Sequence, residues 1–219
     1  MFLSHIKWPD NVIEAKKLQE NHRFSIKIVA LVRFPVYVAG VDAAFNNNRV
    51  LAAACLFRLP DLTVIETSSA LVNASFPYVP GYLFFREGPA VIAAIKKLVI
   101  KPDIVLVDGH GIAHPRGIGS ASHLGLLLDI PTIGCAKTRL VGEYVEPAST
   151  IGSRSQLIYD DRVIGLVLRT RKDIKPLFIS PGHKIDIEGA AQVTLSCLGR
   201  YRIPEPIRCA DSLSRKLLT

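Results

Sequence analysis

Four consecutive apolar residues, Ile104-Val105-Leu106-Val107, stand between a helix-periodic segment (87–99) and Asp108. A run this short and wholly apolar reads as a strand buried on both faces, the pattern of parallel sheets covered by helices. A second such run, 131–136, follows another helical segment, 120–129. Strand–helix–strand alternation implies parallel pairing through a right-handed crossover. Upstream, residues 36–41, 49–58 and 62–71 read as strands separated only by Asn46-Asn47-Asn48 and Pro60-Asp61. Turn clusters that short connect antiparallel neighbours. The pattern predicts an α/β fold: a mixed central sheet of five strands, three antiparallel then two parallel, flanked by helices. A helix over 10–20, a hairpin near 157–159 and 163–169, a strand at 177–180 and helices near 186–198 and 207–217 complete the chain. No linker or repeat interrupts it, so a single domain over 1–219 is expected.

Composition narrows the function classes. Apolar residues make up 49% of the chain and charged residues 21%, which excludes whole-chain disorder. A net charge of +8 suits a polyanionic partner, or simply a basic protein. No apolar run reaches the roughly 18 residues of a membrane span. Residues 1–10 lack the basic-then-apolar pattern of a signal peptide, so a cytoplasmic location is expected, with no membrane partner. There, Cys55, Cys135, Cys197 and Cys209 are free thiols, and none is spaced for zinc.

Two apolar strands end in an aspartate, Asp42 and Asp108. A carboxylate at a buried strand end needs a partner: a helix cap, a salt bridge or a metal ion. Glu87 either complements a helix dipole or adds a third carboxylate. An all-oxygen donor set favours Mg²⁺ or Mn²⁺ over zinc. The stretch from Asp108 to Gly119 holds four glycines, two histidines and one arginine, a loop able to bring backbone N–H groups close to a ligand. Lys137 follows the 131–136 strand and either offsets phosphate charge or is an ordinary strand-end lysine. His183 either orients water or phosphate or caps a turn. Pro77-Tyr78-Val79-Pro80 is a stiff turn whose tyrosine is either packed or free to push between stacked bases.

Taken together, these residues resemble the endonuclease V family. The matching stretches are Ala39-Gly40-Val41-Asp42, Pro77-Tyr78-Val79-Pro80-Gly81 with Phe84-Phe85-Arg86-Glu87, and Asp108-Gly109-His110-Gly111 with His114-Pro115-Arg116. They continue through His123-Leu124-Gly125, Ile133-Gly134-Cys135-Ala136-Lys137, Leu168-Arg169-Thr170 and Ser180-Pro181-Gly182-His183. Tyr82 departs from the apolar residue or serine of many members. The resemblance implies an RNase H-like fold and Mg²⁺-dependent hydrolysis of the second phosphodiester bond 3′ to deoxyinosine in DNA, leaving 3′-hydroxyl and 5′-phosphate. It implies that Asp42, Glu87 and Asp108 form the acidic, metal-binding triad, with Lys137 and His183 as further catalytic residues. It likewise makes Pro77, Tyr78, Val79 and Pro80 the DNA wedge and Gly81, Leu83, Gly109, Gly111 and His114 the lesion pocket. Arg86, Arg116 and Arg139 are expected, on charge, to meet phosphates.

Two alternatives stay open. The same chemistry on inosine-containing RNA would involve a 2′-OH contact. A non-catalytic nucleic-acid module would use only the basic surface, and the strand-end carboxylates argue against it. A monomer is expected.

Overall fold

The computed structural model describes residues 8–218; most of the segment read for a leader lies outside them. One eight-stranded sheet runs through the described residues. Its strands are β1 (Tyr37–Asn46), β2 (Arg49–Arg58), β3 (Thr63–Asn73), β4 (Ile104–Val107), β5 (Thr132–Ala136), β6 (Arg154–Tyr159), β7 (Arg162–Leu168) and β8 (Leu177–His183). Their spatial order is β3-β2-β1-β4-β5-β8-β7-β6. The antiparallel meander β1–β3 and the parallel pairs β1·β4 and β4·β5 match the expected arrangement. The expected count of five strands is corrected to eight, because β8 pairs with β5 and carries the β6–β7 hairpin into the same sheet.

The sequence pattern ends β8 at Ser180, since Pro181 has no N–H to donate. The strand nevertheless continues to His183. A register shift opposite Thr132 and Ile133 lets Pro181 and Gly182 pass without a ladder bond from the proline. Pro181 still accepts from the Ile112 N–H at 2.8 Å.

Among the described residues five α-helices cover the sheet: α1 (Val12–His22), α2 (Leu83–Lys96), α3 (Ser120–Leu128), α4 (Ile187–Ser196) and α5 (Glu205–Leu218). Side-chain alternation along the strands sorts them into two layers. Ala39, Val41, Val105 and Val107 pack with α2 and α3. Val38, Ile104, Leu106 and Ile133 face the other way, toward α4 and Ile207 of α5. Asp42 and Asp108 share the parity of this second set, and so belong to the α5 side. None of the described helices is long and apolar enough to cross a membrane.

Two boundary shifts bear on the site. β1 runs to Asn46 rather than residue 41, so Asp42 lies within the strand. Its neighbour β4 stops at Val107, pairing only through Val41. Asp42 therefore has no β4 residue paired beside it, at the point where the chain leaves the sheet at Asp108. The Asp108 N–H, donating to the Val41 carbonyl at 3.3 Å, is the last link across this pair. α2 begins at Leu83 rather than residue 87, which places Glu87 more than a turn into the helix.

Candidate active site

At the point where β4 gives out, three carboxylates converge. Asp42 (β1), Asp108 (after β4) and Asp211 (α5) each offer an oxygen, all within 4.8 Å of one another. They border an open groove of about 530 Å³ with Lys137 and Arg215. Lys137 Nζ pairs with Asp108 Oδ2, and Arg215 holds Asp211 Oδ1 at 2.8 Å.

Such crowding is electrostatically costly. Burial first, then the charges of Asp108 and Asp211 and the hydrogen bond to Asp211, push the Asp42 carboxyl up to about 8. Burial also pushes Asp211 upward, but the hydrogen bond from Asp42 and the one from Arg215 outweigh it and hold this carboxyl below its ordinary value. Asp42 therefore keeps its proton and donates it to Asp211. A dication would relieve the same repulsion, and an all-oxygen donor set suits a hard ion.

Glu87, expected to join the metal directly or through a water, is not one of the three carboxylates within 4.8 Å but shares a narrow pocket with Asp42 and Asp108. It rises from α2 on the opposite layer and faces them across this pocket. Burial, then Asp108, pushes its carboxyl up to about 8. Asp211, absent from the expected set, takes the third place. Its Asp211–Arg215 pairing one helical turn apart looks like an ordinary solvated face. The usable signal was the buried stripe of α5, since Asp211 follows Ile207 by four residues.

The second expected constellation surrounds a cavity of about 260 Å³ beside the cluster. Tyr78, Pro80, Gly81, Leu83, Gly109 and His114 line it, and Gly109 joins its wall to Asp108. Tyr78 is 58% exposed and rests against Phe45, ring centroids 5.8 Å apart. Pro77 is exposed, and Val79 packs partly buried against the core. His114 accepts at Nδ1 from the Arg116 N–H (3.2 Å), so Nε2 carries the proton and donates to the Gly81 carbonyl (3.0 Å). Burial, then Arg116, brings His114 down to about 4, so its ring is neutral. Tyr82 is buried under Arg116, whose guanidinium lies 4.2 Å from the ring centroid.

The remaining expectations are corrected. Gly111 is not on the cavity wall: it packs against β8, where a Cβ would fall 2.0 Å from the Pro181 carbonyl oxygen. His183 lies opposite Thr132, at the far end of β5 from Lys137, a strand length of roughly 13 Å away. There it accepts from the Lys27 N–H at 3.3 Å and approaches Asp129 at 3.7 Å. Arg86 is buried and donates to the Phe76 and Asn47 carbonyls, so it is not free for phosphate. Arg116 is likewise tied to Gln19 and to the Gly81 carbonyl. Arg139 remains exposed, bonded to the Gly142 carbonyl.

Comparison with known proteins decides the family. The family model described as Endonuclease V matches residues 16–212. The chain belongs to the endonuclease V family. Endonuclease V of Nostoc punctiforme is 50% identical over 210 residues, covering 94% of this chain and 95% of that protein. The crystal structure of Endonuclease V from Streptomyces avermitilis superposes with a TM-score of 0.92 at 40% identity, covering 96% of this chain and 94% of the other. Endonuclease V of Ciona intestinalis, solved with a 24mer DNA containing an inosine followed by a ribo-adenosine, gives 0.82 at 29% identity, covering 96% and 98%. As an endonuclease V, this chain is a DNA-repair nuclease acting on phosphodiester bonds, of a metal-dependent family.

Titration of the cluster should be visible in stability. Asp42 and Glu87 have folded-state values raised to about 8 from 3.8 and 4.5, so the native state binds more protons than the unfolded chain across that window. Stability then falls as pH rises toward and through 8. His114 and His123, lowered to about 4 and about 3, act oppositely but only below the ordinary histidine value of 6.5. In chelator, Tm should therefore decline between pH 7 and 9, and excess Mg²⁺ should flatten the decline. A flat profile in chelator would contradict this electrostatic picture.

Proposed function

We propose that this endonuclease V is Mg²⁺-dependent, with Mn²⁺ able to substitute, and that it recognises deoxyinosine in DNA and hydrolyses the second phosphodiester bond 3′ to it. The products are a 3′-hydroxyl and a 5′-phosphate. The observation that carries the reading is the shared wall at Asp108 and Gly109, which sets a base-sized cavity beside a cluster suited to a divalent ion. The inosine-containing DNA bound by the Ciona intestinalis relative supports the choice of lesion.

Asp42, Asp108 and Asp211 would hold the ion, with Glu87 acting across its cleft. When bound, such an ion polarises a phosphate and acidifies water. Lys137 offsets negative charge on the scissile phosphate from its place beside Asp108. Inosine pairs weakly, so extruding it costs less than extruding a normal base. Tyr78, on its proline-stiffened turn, fills the gap left in the stack. The flipped base is bounded by Gly81, Leu83, Gly109 and neutral His114. His183 stands at the opposite end of β5 from Lys137 and is not among the residues lining the groove. That all eight strands share one sheet supports a single domain, and the working enzyme is taken to be a cytoplasmic monomer.

The test is cleavage of one inosine-containing strand, mapped at nucleotide resolution with Mg²⁺ and with chelator. A nick one nucleotide beyond the inosine's 3′ neighbouring bond, in Mg²⁺ only, is expected. Cleavage elsewhere, or in chelator, overturns the reading. The ribo-adenosine in the Ciona intestinalis complex favours inosine-containing RNA as the second reading, and matched DNA and RNA strands separate the two by rate. Tyr78→Ala should raise KM for the inosine strand about tenfold, in line with roughly 1–3 kcal/mol per stacked base. An unchanged KM would remove Tyr78 from the wedge.

A further inference from the structure

The Gly81 carbonyl, directly after the wedge turn, receives three donors: Gln19 Nε2 at 3.0 Å, His114 Nε2 at 3.0 Å and Arg116 Nη2 at 2.8 Å. A carbonyl oxygen offers two lone pairs, so three converging donors are more than it needs. Gly81 itself sits at φ +80°, a left-handed conformation that this carbonyl anchors. Gln19 comes from α1, whereas the loops after β3, β4 and β5 and the first turns of α2 and α3 build the rest of the cavity. It is 1% exposed, and Ala15 is the only other buried residue of that helix. Its Oε1 also accepts from Arg116 Nε, so one amide engages both the carbonyl and the arginine that grips it. Gln19 lines the cavity as well.

We infer that Gln19 is a positioning residue for lesion recognition: it fixes the Gly81 carbonyl and Arg116, and through them the spacing between the Tyr78 turn and the His114 wall. This rests on the proposed reading of the cavity as a base pocket. A buried glutamine serving only to dock α1 would need no partner on the pocket rim, whereas both ends of this amide are used there. Preorganised walls lower the cost of ordering on binding. Loosening them weakens capture of the flipped base and leaves the carboxylate cluster intact.

The test is Gln19→Leu, which keeps much of the volume and removes both bonds. Steady-state cleavage is compared on an inosine strand and a matched inosine-free strand, with Mn²⁺ uptake and Tm measured alongside. The expected result is a KM for the inosine strand raised about tenfold, equivalent to about 1.4 kcal/mol. On that strand kcat, and cleavage of the inosine-free strand, should shift by less than twofold, so selectivity falls. A folded variant with wild-type KM overturns the inference, as does an equal slowing on both strands. Should Gln19→Leu not fold, Gln19→Glu keeps an acceptor for Arg116 but loses the donor to Gly81. It should raise KM likewise, and an unchanged KM is equally fatal. A wild-type enzyme that shows no preference for inosine defeats the base-pocket reading and this inference together. A selective wild type with an unaffected variant defeats the inference alone.

Discussion

Asp108→Asn should abolish strand cleavage, lowering the rate about a thousandfold or more, while the metal-free protein melts no lower than wild type. The first effect follows because Asp108 is one of three carboxylates with oxygens within 4.8 Å, and is also the partner of Lys137. A metal's charge stabilisation is worth several kcal/mol in the transition state, and each 1.36 kcal/mol is tenfold in rate. The second effect follows because Asp108 is the leading charge raising both Asp42 and Glu87. Removing it relieves repulsion on two elements at once. Initial rates in Mg²⁺ and melting in chelator check both halves. Cleavage at the wild-type rate, or lost activity explained by unfolding, would contradict the account.

Gly40→Ala should be the most destabilising methyl addition on the central strand. An added Cβ would fall 2.0 Å from the Pro206 carbonyl carbon and 2.3 Å from its oxygen, backbone atoms that have no rotamer through which to retreat. Gly40 is held between Cys55 of β2 and Leu106 of β4, so the strand has little freedom to yield either. Overpacking of this kind costs roughly 3 kcal/mol, about 10 °C in Tm for a chain of this size. The relief open to the fold is to push α5 outward, and α5 carries Asp211. The surviving folded protein should therefore also bind Mn²⁺ more weakly. A variant with wild-type Tm and metal affinity would show that α5 is not seated on β1 as described.

The parts of the fold legible in the sequence were those with a local cause. Ile104–Val107 and the 131–136 run are short, largely apolar segments that each follow a helical one, and the structure pairs them in parallel as that pattern requires. The meander was legible because its turns are short. The reach of β8 beyond Ser180 was not, since a compensating register shift in β5 is a tertiary event. Nor was the full length of β1, whose last five residues are held by β2 alone.

The site divides the same way. Asp42 and Asp108 are flagged by buried strands ending in carboxylates. Asp211 has no such flag: it joins them only because Gly40 lets α5 lie against β1. Glu87 and His183 carry the right chemistry in the right motif, but their position was set by layer and by strand direction. Glu87 reaches the pocket of Asp42 and Asp108 from the other layer, and His183 lies at the opposite end of β5 from Lys137. Arg86 and Arg116 show that charge alone does not place a cation on the surface; both are consumed by backbone carbonyls.

The most direct measurement is Mn²⁺ uptake, followed by the electron paramagnetic resonance of the free ion, for the wild type and for Asp42→Asn, Asp108→Asn and Asp211→Asn. The wild type should remove the ion from solution, more tightly as pH rises through 8 and Asp42 gives up its proton. Each substitution should weaken uptake by more than about tenfold, the loss that even an outer-shell partner can cause. Uptake that is equal in all four proteins, or insensitive to pH, would contradict a site built from these aspartates.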